Sequence, residues 1–295
     1  MAQSANKNGH SISLGASFGL LNGESEEIVY RSAGSKDKLS QLLWNFRPLV
    51  YAGAELHYNW RLSAGKKNIF ADALSKFGIP GITGSEEDRD WMYNANWLSH
   101  YSVHDNRTEN AIQIDVKAGM AFTIFEQFLL KTYISYDFMY FSWTAKGGSF
   151  LYPTDDGGHS YLLSSRDTGK YKQVWNLLSP GVSFYGAFNR YFDIELFFDL
   201  SPLVWLAARD EHIERNLVIH DALFGGLSVE PGLLFSFKPG GSMTWSLSLD
   251  YRRIFGTRGD GVYKEQGKPA ITAGEMAGAG YSAFDAAITV KYKFF

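Results

Sequence analysis

The stretch Tyr281-Ser282-Ala283-Phe284-Asp285-Ala286-Ala287-Ile288-Thr289-Val290-Lys291-Tyr292-Lys293-Phe294-Phe295 decides the fold. Phe284, Ala286, Ile288, Val290, Tyr292 and Phe294 fall on one side of an extended chain, and Ala283, Asp285, Ala287, Thr289, Lys291 and Lys293 on the other. A period of two, apolar on one face and charged opposite, running to a terminal Phe, is the pattern of a membrane-spanning β-strand. The chain opens the same way. Ile12, Leu14, Ala16, Phe18 and Leu20 interleave with Ser11, Ser13, Gly15, Ser17 and Gly19, so the first and last strands are able to pair and close a sheet. Closure leaves no unpaired strand edge in lipid.

Composition narrows the classes. Aromatic residues are 16 % of the chain, with 30 Gly and no Cys, which suits a barrel with aromatic girdles and tight turns and needs no disulfide. The net charge of −3, without a Lys/Arg run, excludes a nucleic-acid partner. No segment approaches the roughly 20 uncharged apolar residues of a transmembrane helix; the greasiest, Leu196 to Ala208, is broken by Asp199 and Pro202. Met1 directly precedes the polar Ala2 to His10, so the chain is expected to be a mature form with an added initiator Met, residues 1–10 forming a flexible N-terminus.

Further alternating stretches follow, at Ile112–Gly119, Asp193–Asp199 and Ser246–Tyr251. A soluble sandwich alternates too, with its apolar face inward. The aromatic crowding of Tyr133, Tyr136, Phe138, Tyr140, Phe141 and Trp143 favours the barrel. Short turns are expected at Ser63 to Lys67, near Glu126, at Asn189 to Arg190 and at Lys238 to Gly241. Longer polar connections are expected at Gly84 to Asn110, Pro153 to Lys170 and Thr257 to Gly280. The expected architecture is all-β: a single domain over residues 11–295, a ten-stranded antiparallel transmembrane β-barrel with short periplasmic turns and long extracellular loops. Several stretches exceed the roughly 9–11 residues that cross lipid, so the barrel should project above the membrane.

Two pairs of residues carry candidate chemistry: Asp88 with Asp90, and Asp210 with His212. At i, i+2 on a strand both members point to one side, about 6–7 Å apart. An Asp beside a His fixes the imidazole tautomer, and a neutral imidazole near pH 7 takes a proton from water. Solvated barrel rims carry Asp-x-His and Asp-x-Asp without any chemistry, so the spacing alone is weak. A metal site of carboxylates and one imidazole ranks lower still, for want of a second convincing His, and no metal is expected. His100, His104, His159 and His220 sit in loop-like context and read as solvated.

Read together, Glu26-Glu27-Ile28-Val29-Tyr30, Ser40-Gln41-Leu42-Leu43-Trp44, Asp88-Arg89-Asp90-Trp91-Met92, Thr144-Ala145-Lys146-Gly147-Gly148-Ser149, Tyr171-Lys172-Gln173 and Asp210-Glu211-His212 resemble the omptin family of outer-membrane proteases. The likeness runs in order from about Ser11 to Phe295. It implies a ten-stranded barrel in the outer membrane of a diderm bacterium, cleaving peptides and proteins beside basic residues at an outward-facing groove. By resemblance, Asp210 and His212 form the dyad and Asp88 and Asp90 face it. Glu27 lines the pocket for the basic side chain before the cut bond, and Asp115 is another groove acid.

Four positions depart from the family pattern. Ala208 stands where the basic-residue pocket has its second acid, and Gln113 where the pocket beyond the cut bond has one, so a weaker or altered preference for Arg or Lys is expected. No cofactor is expected, and activation by lipopolysaccharide is put in question by Tyr140 and Val174, which replace the family's outer-wall arginines. The inward phase is odd-numbered over Asp193 to Asp199 but even at Asp210 and His212, which a bulge near Ser201-Pro202 would repair. The reading is an endopeptidase that uses water as its nucleophile. Its rivals are a drifted barrel serving as an adhesin or binding scaffold, and a porin, which ten strands filled with Tyr, Glu and Lys disfavour.

Overall fold

The structure, a computed structural model, describes residues 9–62, 67–93, 96–152, 159–162 and 165–294. Almost all of the expected N-terminal segment 1–10, most of the Ser63–Lys67 turn, Phe295 and parts of the 153–170 connection therefore lie outside the described residues. Among the described residues the chain is all β. Its strands are β1 (His10–Tyr30), β2 (Lys38–Arg61), β3 (Lys67–Gly78), β4 (Gly81–Asp90), β5 (His100–Phe125), β6 (Phe128–Tyr152) and β7 (His159–Leu162). They continue with β8 (Asp167–Ala187), β9 (Phe192–Ser201), β10 (Leu203–His212), β11 (Leu217–Phe224), β12 (Leu227–Gly240), β13 (Met243–Glu265) and β14 (Ile271–Lys293).

These segments form ten staves of one closed antiparallel ring. β3 runs on into β4, β9 into β10 and β11 into β12, while β7 is a short addition on β6. β1 pairs with β14 from Ser13↔Lys293 to Val29↔Ala277, which closes the ring as the alternation of the two end strands requires. On β1 and β14 the odd-numbered side chains point into the lumen, where Ser17, Glu27, Asp285 and Thr289 are buried. The even-numbered Leu14, Phe18, Leu20, Phe284 and Ile288 are exposed on the outer wall.

That outer wall gives the height of the membrane. Above Leu20 the outward residues of β1 are Asn22, Glu24 and Glu26, so lipid covers only the lower half of a 21-residue strand. β2, β5 and β6 run 24, 26 and 25 residues, more than twice what lipid needs, and the surplus stands above the membrane. The tight turns at Glu126, Asn189–Arg190 and Gly241 all lie at the lower end, with the chain termini. At the upper end the expected polar connections are mostly paired strand instead: β4 and β5 fill 84–90 and 100–110, and β13 and β14 fill 257–265 and 271–280. Their polarity reflects an upper wall wetted on its outer face, so composition there marks solvent and not loss of pairing.

The lumen is layered. In the membrane zone buried charges are paired across it, Lys117 with Asp199 at 2.9 Å, Lys131 with Glu195 at 2.6 Å, and Lys76 with Asp285. A cavity of about 390 Å³ runs between these groups. Above them an aromatic layer crosses the barrel, in which Trp44 stacks on Trp143 at 5.9 Å and on Tyr171 at 5.4 Å, and Phe46 on Phe141 at 5.9 Å. Half of the rings crowding β6 thus fill the interior: Tyr133, Phe141 and Trp143 are buried, whereas Tyr136 faces out.

Candidate active site

The site lies above the aromatic layer, where four staves present acids inward. Two local irregularities aim them. Gly181 pairs with Asp199, but Leu178 pairs with Leu203, so one extra residue at Pro202 switches the inward phase from odd on β9 to even on β10. Ala208, Asp210 and His212 therefore face the lumen, as a bulge at Ser201-Pro202 requires. On the opposite wall the pairing shifts between Ile82 and Gly84, after which Glu86, Asp88 and Asp90 face inward. A Cβ at Gly84 would lie 2.5 Å from the Asn45 carbonyl oxygen, so only glycine lets β4 approach β2 this closely.

His212 Nε2 stands 2.6 Å from Asp210 Oδ2, a contact that becomes an ion pair when the imidazole is protonated. Burial by itself would lower the His212 pKa, but attraction to Asp210 and then to Asp88 outweighs it, and the imidazole titrates above its ordinary value. Burial and the neighbouring Asp90 push the Asp88 carboxyl up to about 7, against the pull of His212 and Arg215. Glu27 and Glu86 are driven well above the usual carboxylate range, by burial first and then by the acids around them. For Glu27 those acids are Asp210, Asp221, Asp88 and Glu86.

Asp88, Asp90, Asp210, His212 and Glu27 are thus brought together. Asp115 and Gln113 are not: Asp115 pairs with Asp137 in the membrane zone and lies 3.6 Å from the Lys117 ammonium, while Ser102, further up the same strand, is the residue that pairs with Asp88. At about 3.3 Å per residue the separation along β5 is roughly 40 Å, so both belong to the lumen and not to the groove. Both line the lumen cavity, well below the rim. Tyr140 and Val174 are cross-strand neighbours, level with Ile112 at the upper edge of the apolar wall.

Sequence reasoning missed three groups. Glu86 shares a face with Asp88 by the same i, i+2 rule. Asp221 lies on the buried phase of Ile219-His220-Asp221-Ala222-Leu223, and burial with Asp210 nearby raises its pKa to about 7. His104 is buried, its Nδ1 2.6 Å from the Gly147 carbonyl and its Nε2 2.9 Å from the Ser102 hydroxyl, with Glu86 3.6 Å away. No sequence signal separated it from the half-buried His100 and the exposed His220; the His159 side chain lies outside the described residues.

The balance of charge differs between the two zones. Buried carboxylates in the membrane zone have Lys or Arg partners. At the rim Glu27, Glu86, Asp88, Asp210 and Asp221 stand against His212 and the solvent-exposed Arg215. Glu27 Oε2, Glu86 Oε2, Asp88 Oδ1 and Asp221 Oδ1 have no hydrogen-bond partner among the described residues.

Fold and rim together define an outer-membrane β-barrel with a His–Asp site at its mouth. A model of the omptin family matches residues 8–294, and the chain belongs to that family. It is 29 % identical over 213 residues to Protease 7 of Escherichia coli O157:H7, covering 69 % of this chain and 64 % of that protein. To the plasminogen activator of Yersinia pestis it is 24 % identical over 217 residues, covering 73 % and 67 %. The match to Protease 7 thus spans a little under two thirds of that relative's length. The crystal structure of outer membrane protease OmpT from Escherichia coli has the same fold, with a TM-score of 0.84 at 20 % identity over 96 % of this chain and 97 % of that one.

Proposed function

We propose that the protein is an outer-membrane endopeptidase that hydrolyses peptide bonds beside basic residues by attack of an activated water. The observation that carries this is the His212–Asp210 contact facing Asp88 and Asp90 at a rim rich in unpaired acids. With Nε2 held toward Asp210, Nδ1 is the nitrogen free to act. It takes a proton from a water held by Asp88 and Asp90, the oxygen attacks the peptide carbonyl, and the imidazolium returns the proton to the leaving amine. Asp210 and Asp88 stabilise the imidazolium as it forms, and it faces the oxyanion of the tetrahedral intermediate. No acyl-enzyme forms.

The preference for a basic residue follows from electrostatics. Buried carboxylates without cations are costly, and a substrate guanidinium or ammonium supplies the missing charge. Tyr140 and Val174 stand where the family has outer-wall arginines, which puts activation by lipopolysaccharide in question. An adhesin is not favoured, because a binding scaffold has no need of the dyad and both aspartates. A positional-scanning peptide digest by the purified protein in detergent, with and without lipopolysaccharide, tests all of this. Cleavage after Arg or Lys without lipopolysaccharide is expected; absence of cleavage under both conditions would overturn the reading.

A further inference from the structure

The place opposite Glu27 where no acid projects from β10 is not empty of charge. Ala208 pairs with Asp221 of β11, and Asp221 in turn pairs with Gly261 of β13. The carboxylate is therefore flanked along its row by a methyl group on one side and by no side chain on the other. A Cβ at Gly261 would lie 3.0 Å from Asp221 Oδ1, so glycine keeps that flank open. Asp221 is 6 % exposed and Glu27 1 %, and each has an oxygen with no hydrogen-bond partner among the described residues. The Tyr263 hydroxyl is a third such atom, and burial first, then the charges of Asp221 and Glu27, hold its pKa above the usual phenol value.

We infer that Asp221 and Glu27 form a two-carboxylate clamp for an arginine side chain of the substrate, Asp221 supplying the acid that position 208 lacks. A guanidinium carries five N–H donors in a planar fork, enough to satisfy both carboxylates and the tyrosine hydroxyl at once. This rests on the basic-residue preference proposed above and replaces the expectation of a loosened pocket: the acid has moved one strand over. A carboxylate introduced at 208 would sit directly across from Asp221, and like charges in that position repel.

The test uses two peptides that differ only in Arg or norleucine before the cut bond, cleaved by the full-length protein in detergent. The wild type should favour Arg by about 100-fold or more in kcat/KM. In Asp221→Asn, nearly isosteric, that ratio should fall roughly tenfold or more, through KM for the Arg peptide. The swap Asp221→Ala with Ala208→Asp should recover much of the ratio. A ratio within twofold of wild type in Asp221→Asn, or equal losses on both peptides, would overturn the clamp. A wild type indifferent to Arg would overturn the basic-residue preference itself, and the clamp with it, so the two failures are told apart by the first measurement. Heat-modifiable gel mobility reports that each variant is folded.

Discussion

At the scale of single residues the mechanism proposed above makes His212 and Asp210 act as a unit, so His212→Ala and Asp210→Ala should each lower kcat by about 10²–10⁴-fold while heat-modifiable mobility stays unchanged. Near-wild-type cleavage by His212→Ala would end the assignment. The pH profile follows from the same charges. His212 must be neutral to act, and its raised pKa sets the acid limb, so activity falls as pH drops through a value above 6.5. Asp88 helps to raise that pKa, and Asp88→Asn should shift the limb to lower pH along with the loss in rate. Stability responds in the opposite sense at Asp221. Its folded pKa of about 7 exceeds the ordinary 3.8, so the protonated form is favoured in the barrel, and the stability it contributes is lost as pH rises from about 4 to about 7. Asp221→Asn should raise the unfolding temperature at pH 8, by a gain on the order of 1–4 kcal/mol, and have little effect at pH 4. Thermal unfolding of the purified barrel at the two pH values checks this.

At the scale of strands, the chemistry depends on which way a stave faces. Without Pro202 the run Asp199, Leu200, Ser201, Leu203 would lie residue for residue against Gly181 to Leu178, a continuous ladder that still turns the dyad inward. Deletion of Pro202 and Pro202→Ala should therefore both retain cleavage within about tenfold, whereas insertion of one residue after Leu206, which turns Arg209 and Glu211 inward and the dyad out, should abolish it in a protein that still runs as a folded barrel. An insertion variant that still cleaved would show that β10 absorbs the added residue as a second bulge. Gly84 has the same kind of role on the opposite wall. Gly84→Ala must push β4 off β2 and should lower kcat more than KM, because it displaces Asp88 and Asp90 rather than the side-chain pocket.

At the scale of the molecule, the aromatic layer separates the wet rim from the charged lumen. Trp143 is 1 % exposed and stacks on Trp44, Phe46, Phe141 and Tyr171. Trp143→Ala should cost about 3–5 kcal/mol, seen as a lower temperature of heat modification. The same layer should keep the wild-type barrel closed to ions, and stepwise conductance in planar bilayers would contradict it.

The sequence alone determined the closed barrel and which side chains of its strands enter it, and both follow from a period of two, a purely local property. The same period puts Asp88 with Asp90, and Asp210 with His212, on one side of the chain, but their reading as a dyad and its facing pair rests on the resemblance to the omptin family and not on spacing. Asp193, Asp199, Asp210 and His212 could be assigned inward, and the bulge at Ser201-Pro202 inferred, because parity survives along a strand until a residue is added. Height and neighbourhood are not local. Asp115 has the right parity and lies far below the groove, and Asp221 became visible as a partner of Glu27 only once β1 and β11 were closed into one ring. Parity says in or out; only the register of every successive pair around the barrel, bulges included, fixes which inward side chains share a level. That is why the tertiary structure alone decided where the second carboxylate of the pocket stands.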